Sequence, residues 1–189
     1  MPIVWEITLL NKLWILTMAF IGFLHLGCSD FLFLQEYKND SLDFKLKYPG
    51  DWTLQEGVQG AVAVLLSPKE TGLDKFQENV NISIQELGDQ RLTLAALTQL
   101  ITMQVREVLG NVRIIESSSY SLAGQPAQRI VYTVDIDYQL KMVSAWTIHN
   151  GRAYILTYTG EFDRFVAFMP KVERIFGSFQ FLKSPALGK

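Results

Sequence analysis

Hydrophobic and polar positions alternate in several short blocks of this chain, and each block reads as a strand with one apolar face. Leu42, Phe44, Leu46 and Tyr48 alternate with Asp43, Lys45 and Lys47, the period of two that a half-buried strand requires. Pro49-Gly50-Asp51 interrupts the run, because proline cannot donate to a ladder and glycine admits unusual dihedral angles. Trp52 and Leu54 begin a return strand, and Val62 to Leu66 reads as a buried strand ended by Ser67-Pro68. After a polar loop from Lys69 to Gln77, Val80, Ile82 and Ile84 alternate with Asn81, Ser83 and Gln85.

The period then changes. From Thr93 onward, Leu94, Leu97, Ile101, Val105 and Val108 fall at steps of three and four, which is one face of a helix. Gly110 is placed to end that helix in the left-handed cap position. Strands resume at Val112 to Glu116. In the longest one, Ile130, Tyr132, Val134, Ile136 and Tyr138 oppose Arg129, Thr133, Asp135 and Asp137. Leu140 to His149 and Arg152 to Thr159 flank Asn150-Gly151, a strong hairpin signal because a type I′ turn needs positive φ at both central residues. In the closing stretch, Pro170 would break one long helix but suits the first turn of a second. The expectation is therefore a short helix, another from about Met169 to Phe176, and an extended exit through Phe181. Hairpin-linked strands with two helical regions, and no βαβ alternation, predict an α+β fold: a central antiparallel sheet flanked by helices.

The first thirty residues follow a different rule. Leu13 to Leu26 carries no formal charge, with only Thr17 and His25 polar. That run is shorter than the roughly 20 residues of a spanning helix and matches the apolar region of a signal peptide. Lys12 supplies the positive flank. Leu26-Gly27-Cys28-Ser29-Asp30 resembles a bacterial lipobox, in which Cys28 would be lipidated and become the mature N-terminus. The other reading is an uncleaved anchor that continues through Phe31-Leu32-Phe33-Leu34, with Cys28 a buried thiol. Both put residues 35–189 outside the cytoplasm at a membrane surface, held by lipid or by the apolar segment. The expected layout is a targeting or anchoring segment at 1–28, a linker at 29–41, a domain at 42–182 and a tail at 183–189.

Composition narrows the function classes. The net charge is −2, from 17 basic and 19 acidic residues mixed along the chain, so the basic stripe that a nucleic acid partner requires is missing. A single cysteine excludes an intramolecular disulfide and a Cys-based zinc site. No nucleophile elbow, phosphate-cradling loop or dinucleotide fingerprint occurs, which points away from an enzyme. Asp135 and Asp137 project from one face of a strand and could seed a calcium or manganese site. His149 at the lip of the hairpin would be an added ligand for zinc. The plain alternatives are a wet sheet face and a solvent-facing histidine. Tyr132, Tyr138, Trp146, Tyr154 and Tyr158 could line a groove, or simply pack sheet against helix. Arg164, Lys171 and Arg174 stand beside Asp163 and Glu173, as a solvated mixed-charge face or a protein contact.

Several segments also stand in a familiar order. They are Asp43-Phe44-Lys45-Leu46-Lys47-Tyr48-Pro49-Gly50-Asp51-Trp52, Asn79 to Ile84, Gly124-Gln125-Pro126-Ala127 leading into Ile130-Val131-Tyr132, Trp146 to Leu156, and Val172 to Phe179. Together, over about residues 40–182, they resemble the PsbP family of photosystem II extrinsic proteins. The resemblance implies an αβα sandwich and a non-catalytic accessory or assembly role on the oxygen-evolving, lumenal side of photosystem II. It also implies a lipoprotein, since cyanobacterial members are lipid-anchored. The family's association with calcium and other divalent ions adds to the Asp135 and Asp137 reading, so the one candidate cofactor is a divalent cation (calcium, manganese or zinc), with none of the family's ligands matched residue by residue. The broader bacterial PsbP-like group implies an alternative: an envelope lipoprotein that binds a small ligand or a protein, without a photosynthetic role.

Overall fold

The computed structural model describes residues 33–182, except 59, 70, 72–75, 89–91 and 136–138. Among these, the chain runs through β1 (Leu34–Asn39), β2 (Phe44–Pro49), β3 (Thr53–Glu56), β4 (Ala63–Leu66) and β5 (Asn79–Glu86), then helix α1 (Leu94–Leu109). It continues through β6 (Val112–Leu122), β7 (Gln125–Asp135), β8 (Gln139–His149) and β9 (Arg152–Glu161), then helix α2 (Phe165–Ser178) and β10 (Gln180–Phe181). The strands form a seven-stranded sheet in the order β3-β4-β5-β9-β8-β7-β6 and a three-stranded sheet in the order β1-β2-β10. All pairings are antiparallel. The fold is α+β, as the hairpin-rich pattern predicts.

The central strands of the large sheet are apolar on both sides, so the sheet needs two covers. Val80, Ile82, Val131, Val143, Ala145, Tyr154, Leu156 and Tyr158 share a core with Phe44, Leu46, Val172, Ile175, Phe176 and Phe179. This is the face covered by the small sheet and α2. On the opposite face Ile130, Tyr132, Val134, Trp146 and Ala153 pack against Leu97 and Ile101 of α1. Helix α1 begins where the sequence places it: the Thr93 side chain accepts a hydrogen bond from the Ala96 amide, and Gly110 closes the helix at φ 67°. Its attachment to the sheet includes a bond from the Trp146 indole N–H to Thr98 Oγ1 at 3.1 Å. The β8–β9 hairpin turns at Asn150 and Gly151, with φ of 49° and 74°, and pairs His149 with Arg152.

The structure departs from the sequence reading in five places. Residues 34–39, expected within a linker, form β1; only Tyr37 of that strand is buried, so it shows no apolar alternation. Trp52 and Leu54 do not begin a return strand onto β2, because β3 pairs with β4 in the large sheet while β2 pairs with β1 and β10. The antiparallel sheet is thus two sheets. Strand β6 runs on from Glu116 to Leu122 through Ser117, Ser118 and Ser119, which an edge position tolerates because one side of it meets water. Val108 is 71% exposed, and half-buried Leu109 takes its place against the sheet. Finally, α2 is one helix with Pro170 inside it. The carbonyl that Pro170 leaves without a partner is that of Val166, 72% exposed, so water can satisfy it and the helix continues.

Gly160 on β9 makes the packing density checkable. A Cβ built there would fall on the Tyr158 hydroxyl oxygen and lie 2.9 Å from Tyr158 Cζ and 3.3 Å from Glu78 Cγ. Tyr158 and Glu78 are both buried, so neither moves aside freely. Gly160→Ala should lower the unfolding free energy by roughly 1–3 kcal/mol through overpacking, read as a lower urea midpoint at unchanged slope.

Candidate functional site

A cleft with a mixed apolar and polar lining lies where α1 stops short of the sheet's edge. The α1-facing side of the sheet is apolar on β7 and β8 but polar on β5, where Asn81, Ser83 and Gln85 alternate with buried Val80 and Ile82. Between helix and sheet is a cleft of about 250 Å³ lined on the helix side by Ile101, Val105 and Leu109. Its floor carries a chain of three hydroxyls: Tyr132 Oη lies 3.2 Å from Ser144 Oγ, and Ser144 Oγ lies 2.9 Å from Thr157 Oγ1. Tyr132 and Ser144 are each 2% exposed, while Thr157 is half-buried. Tyr132 is among the aromatics that could line a groove on the sequence reading; Ser144 and Thr157 were not singled out from the sequence, although one signal for them existed. The Asn150-Gly151 turn fixes the β8–β9 register, and counting back from His149↔Arg152 places Ser144 opposite Thr157.

A second, shallower opening of about 530 Å³ lies at the turn end of the sheet, between Ala123, Gln125, His149, Asn150 and Phe181. His149 is only partly solvent-facing. It is half-buried, and its ring stacks on Phe181 at 3.8 Å with planes 15° apart. Phe181 arrives on β10 from the far end of the chain, so local reading of the hairpin could not foresee it. Around the same end, the Tyr154 hydroxyl donates to the Leu42 carbonyl at 3.0 Å, and Arg152 Nε bonds Glu86 Oε1 at 2.6 Å.

Of the residues named from sequence, Cys28 and Asp137 lie outside the described residues, as does Tyr138. Asp135 ends β7 and pairs with Gln139, the first residue of β8, whereas His149 is the last residue of β8. At about 3.3 Å per residue these two sit some 33 Å apart, so His149 cannot share an ion with Asp135. Among the described residues, no group of three potential metal-binding side chains comes together. Tyr132, Trp146, Tyr154 and Tyr158 are all buried in the core, and of these Tyr132 also lines the cleft. Arg164, Lys171 and Arg174 are all on or beside α2. Arg164 is exposed at its N-terminal boundary, Lys171 lies 3.6 Å from Asp51, and Arg174 is half-buried. Two further charged groups were missed. Arg129 joins β7 to α2 through Glu173 at 2.8 Å and lies over the Tyr120 ring. Glu78 is 2% exposed, with Ser67 Oγ at 3.4 Å from its carboxylate.

A family model described as PsbP matches residues 33–181. Solved structures of the same shape come from distant sources. Cyanobacterial PsbP (CyanoP) from Synechocystis sp. PCC 6803 matches with a TM-score of 0.61 at 17% identity, over 82% of this chain and 98% of that one. LpqN of Mycobacterium tuberculosis, described as involved in cell envelope biogenesis, matches at 0.59 and 14%, over 79% and 92%. The Ran-binding protein Mog1p of Saccharomyces cerevisiae matches at 0.57 and 9%, over 80% and 96%. No curated protein matches the chain in sequence.

Burial dominates the electrostatics of the tyrosines. Tyr132 is raised above the ordinary phenol value by desolvation, partly offset by its bond to Ser144. Tyr158 is raised strongly, first by burial and then by the negative charge of Glu78, with Arg164 pulling the other way. A phenol whose folded pKa exceeds its unfolded value of about 10 stabilises the fold fully below that value and loses the contribution as pH rises through the folded pKa. Unfolding free energy should therefore decline with rising pH from about pH 10 upward, and Tyr158→Phe should flatten that decline. Urea midpoints across this range, together with the absorbance of tyrosinate, measure both.

Proposed function

The chain belongs to the PsbP family, and on that footing we propose that it is a non-catalytic extrinsic protein that docks to photosystem II, or to its assembly intermediates, on the oxygen-evolving side. The observation that carries this reading is the extent of the family match. It runs from residue 33, next to β1, to residue 181, the last of β10, so the match takes in both sheets and both helices. The short β10 and the polar β1, which carry little apolar signal, are within it. In this reading the export segment holds the domain at the membrane, by acylation of Cys28 or by the uncleaved apolar run. Helix α2 offers the docking face, with the half-buried charged side chains of Lys171, Glu173 and Arg174 on it. Arg164, exposed at the N-terminal boundary of the helix, stands about two turns before Lys171 and extends the same side.

One observation favours a second reading. The cleft beneath α1 has the mixed apolar and hydroxyl lining of a small-molecule site, which suits a general envelope protein that binds a ligand. The two are separated by pull-down of the tagged, membrane-extracted chain from its native host, with captured proteins identified by mass spectrometry. The proposal expects photosystem II subunits to be enriched, and Lys171→Glu with Arg174→Glu to reduce their recovery several-fold while circular dichroism stays unchanged. Recovery of unrelated envelope proteins, or of photosystem II subunits equally by both forms, contradicts the docking proposal in partner or in face respectively.

A further inference from the structure

We propose that the cleft between α1 and the sheet is a binding site for a small neutral amphiphile: an apolar ring or short chain bearing one hydrogen-bond-accepting oxygen, of the ketone, ester or alcohol class. The inference stands on the shape and hydrogen count of the cleft and does not depend on photosystem II docking.

The lining sets the charge of the occupant. None of the described residues lining the cleft carries a formal charge: the helix wall is aliphatic apart from Gln104, and the sheet wall is hydroxyl and amide side chains with Ile155 among them. An ion entering this space would lose hydration without gaining a counter-charge, and that penalty excludes charged ligands. Size follows from volume. A cavity of about 150 Å³ takes a benzene ring, so 250 Å³ takes a molecule of about nine or ten heavy atoms by the same measure. Val108 at the mouth is 71% exposed, and an occupant would take part of that apolar surface out of water.

The hydroxyl chain sets the polar end. Tyr132, Ser144 and Thr157 bring three O–H protons, and the two bonds among them use two. One proton is left over whichever way the chain is oriented. Tyr132 and Ser144 are 2% exposed, whereas Thr157 is half-buried and lines the cleft. The arrangement in which Tyr132 donates to Ser144 and Ser144 to Thr157 therefore delivers the spare proton to the most exposed of the three hydroxyls, where a ligand can reach it. Both upstream hydroxyls strengthen that donor, because hydrogen-bonded chains polarise one another. A carbonyl, ester or alcohol oxygen fits this donor, with its hydrocarbon body against Ile101, Val105 and Leu109.

The test uses the full chain in lipid nanodiscs with labelled isoleucine and valine methyl groups, titrated with three isosteres. Cyclohexyl methyl ketone carries the accepting oxygen, isopropylcyclohexane lacks it, and cyclohexanecarboxylate replaces it with a charge. The ketone should shift the Ile101, Val105 and Ile155 methyl signals saturably, with the other two about tenfold weaker, the worth of one hydrogen bond. Thr157→Val should weaken the ketone about tenfold and leave the hydrocarbon unchanged, a split that a merely structural effect would not produce. Val108→Trp, at an exposed helix position, should block all three. Equal binding of ketone and hydrocarbon, carboxylate binding as tight as ketone, loss of both neutral ligands in Thr157→Val, or shifts that survive Val108→Trp and so report partition into the lipid, would each overturn the proposal.

Discussion

Everything in this domain depends on one requirement: a sheet whose central strands are apolar on both faces must be covered twice. One cover is organised by Phe44. Its ring, fully buried, stacks on Phe179 at 5.4 Å and meets Tyr37 and Tyr154 edge-on at 5.7 and 6.3 Å. These four side chains belong to β1, β2, β9 and the exit of α2, so one aromatic cluster joins the small sheet, the large sheet and the C-terminal helix. Aromatic pairs add roughly 0.5–1.5 kcal/mol each beyond the area they bury, and the four together place the small sheet firmly. Ser178 adds a polar tie, accepting from the Lys47 amide at 2.8 Å. The described residues from Leu34 to Leu182 belong to one compact unit.

The other cover is incomplete, and that is where the cleft comes from. A single helix spans the β7 and β8 side of the face but leaves the polar edge of β5 open. Strand β5 meets this by presenting Asn81, Ser83 and Gln85 outward, and β8 and β9 by placing hydroxyls beneath the helix margin. The cleft is thus a consequence of how the second face is packed, not of a separate loop or insertion. Family membership and the cleft speak to different surfaces. The docking reading uses the outer turns of α2, and the ligand reading uses the opposite face of the sheet.

The sequence disclosed those features whose cause is local. The Thr93 cap and Gly110 set the limits of α1, and Asn150-Gly151 set the turn and register of β8 and β9. The fold class followed from the hairpin-rich order. What escaped depends on contacts between distant parts of the chain. β2 takes β10 as a neighbour rather than β3, and nothing between Phe44 and Trp52 encodes that choice. Strand β1 has only Tyr37 turned inward and looks polar. Pro170 reads as a break until its side of the helix is known to face water. His149 reads as exposed until Phe181 is laid against it. Of the site, Ser144 and Thr157 were within reach through the hairpin register, but no local pattern marks a half-covered sheet face.

The aromatic cluster makes the two sheets one cooperative unit. Native-state amide hydrogen exchange on the full chain tests it directly, because exchange reports the free energy of the opening that frees each amide. The amides of Phe44 and Leu46 in β2 should exchange through the same global opening as those of Tyr154 and Leu156 in β9, with matching free energies and matching denaturant dependence. Exchange of the β2 amides through a separate, lower-energy opening while β9 stays protected would show that the small sheet is an independent attachment, and would contradict the account.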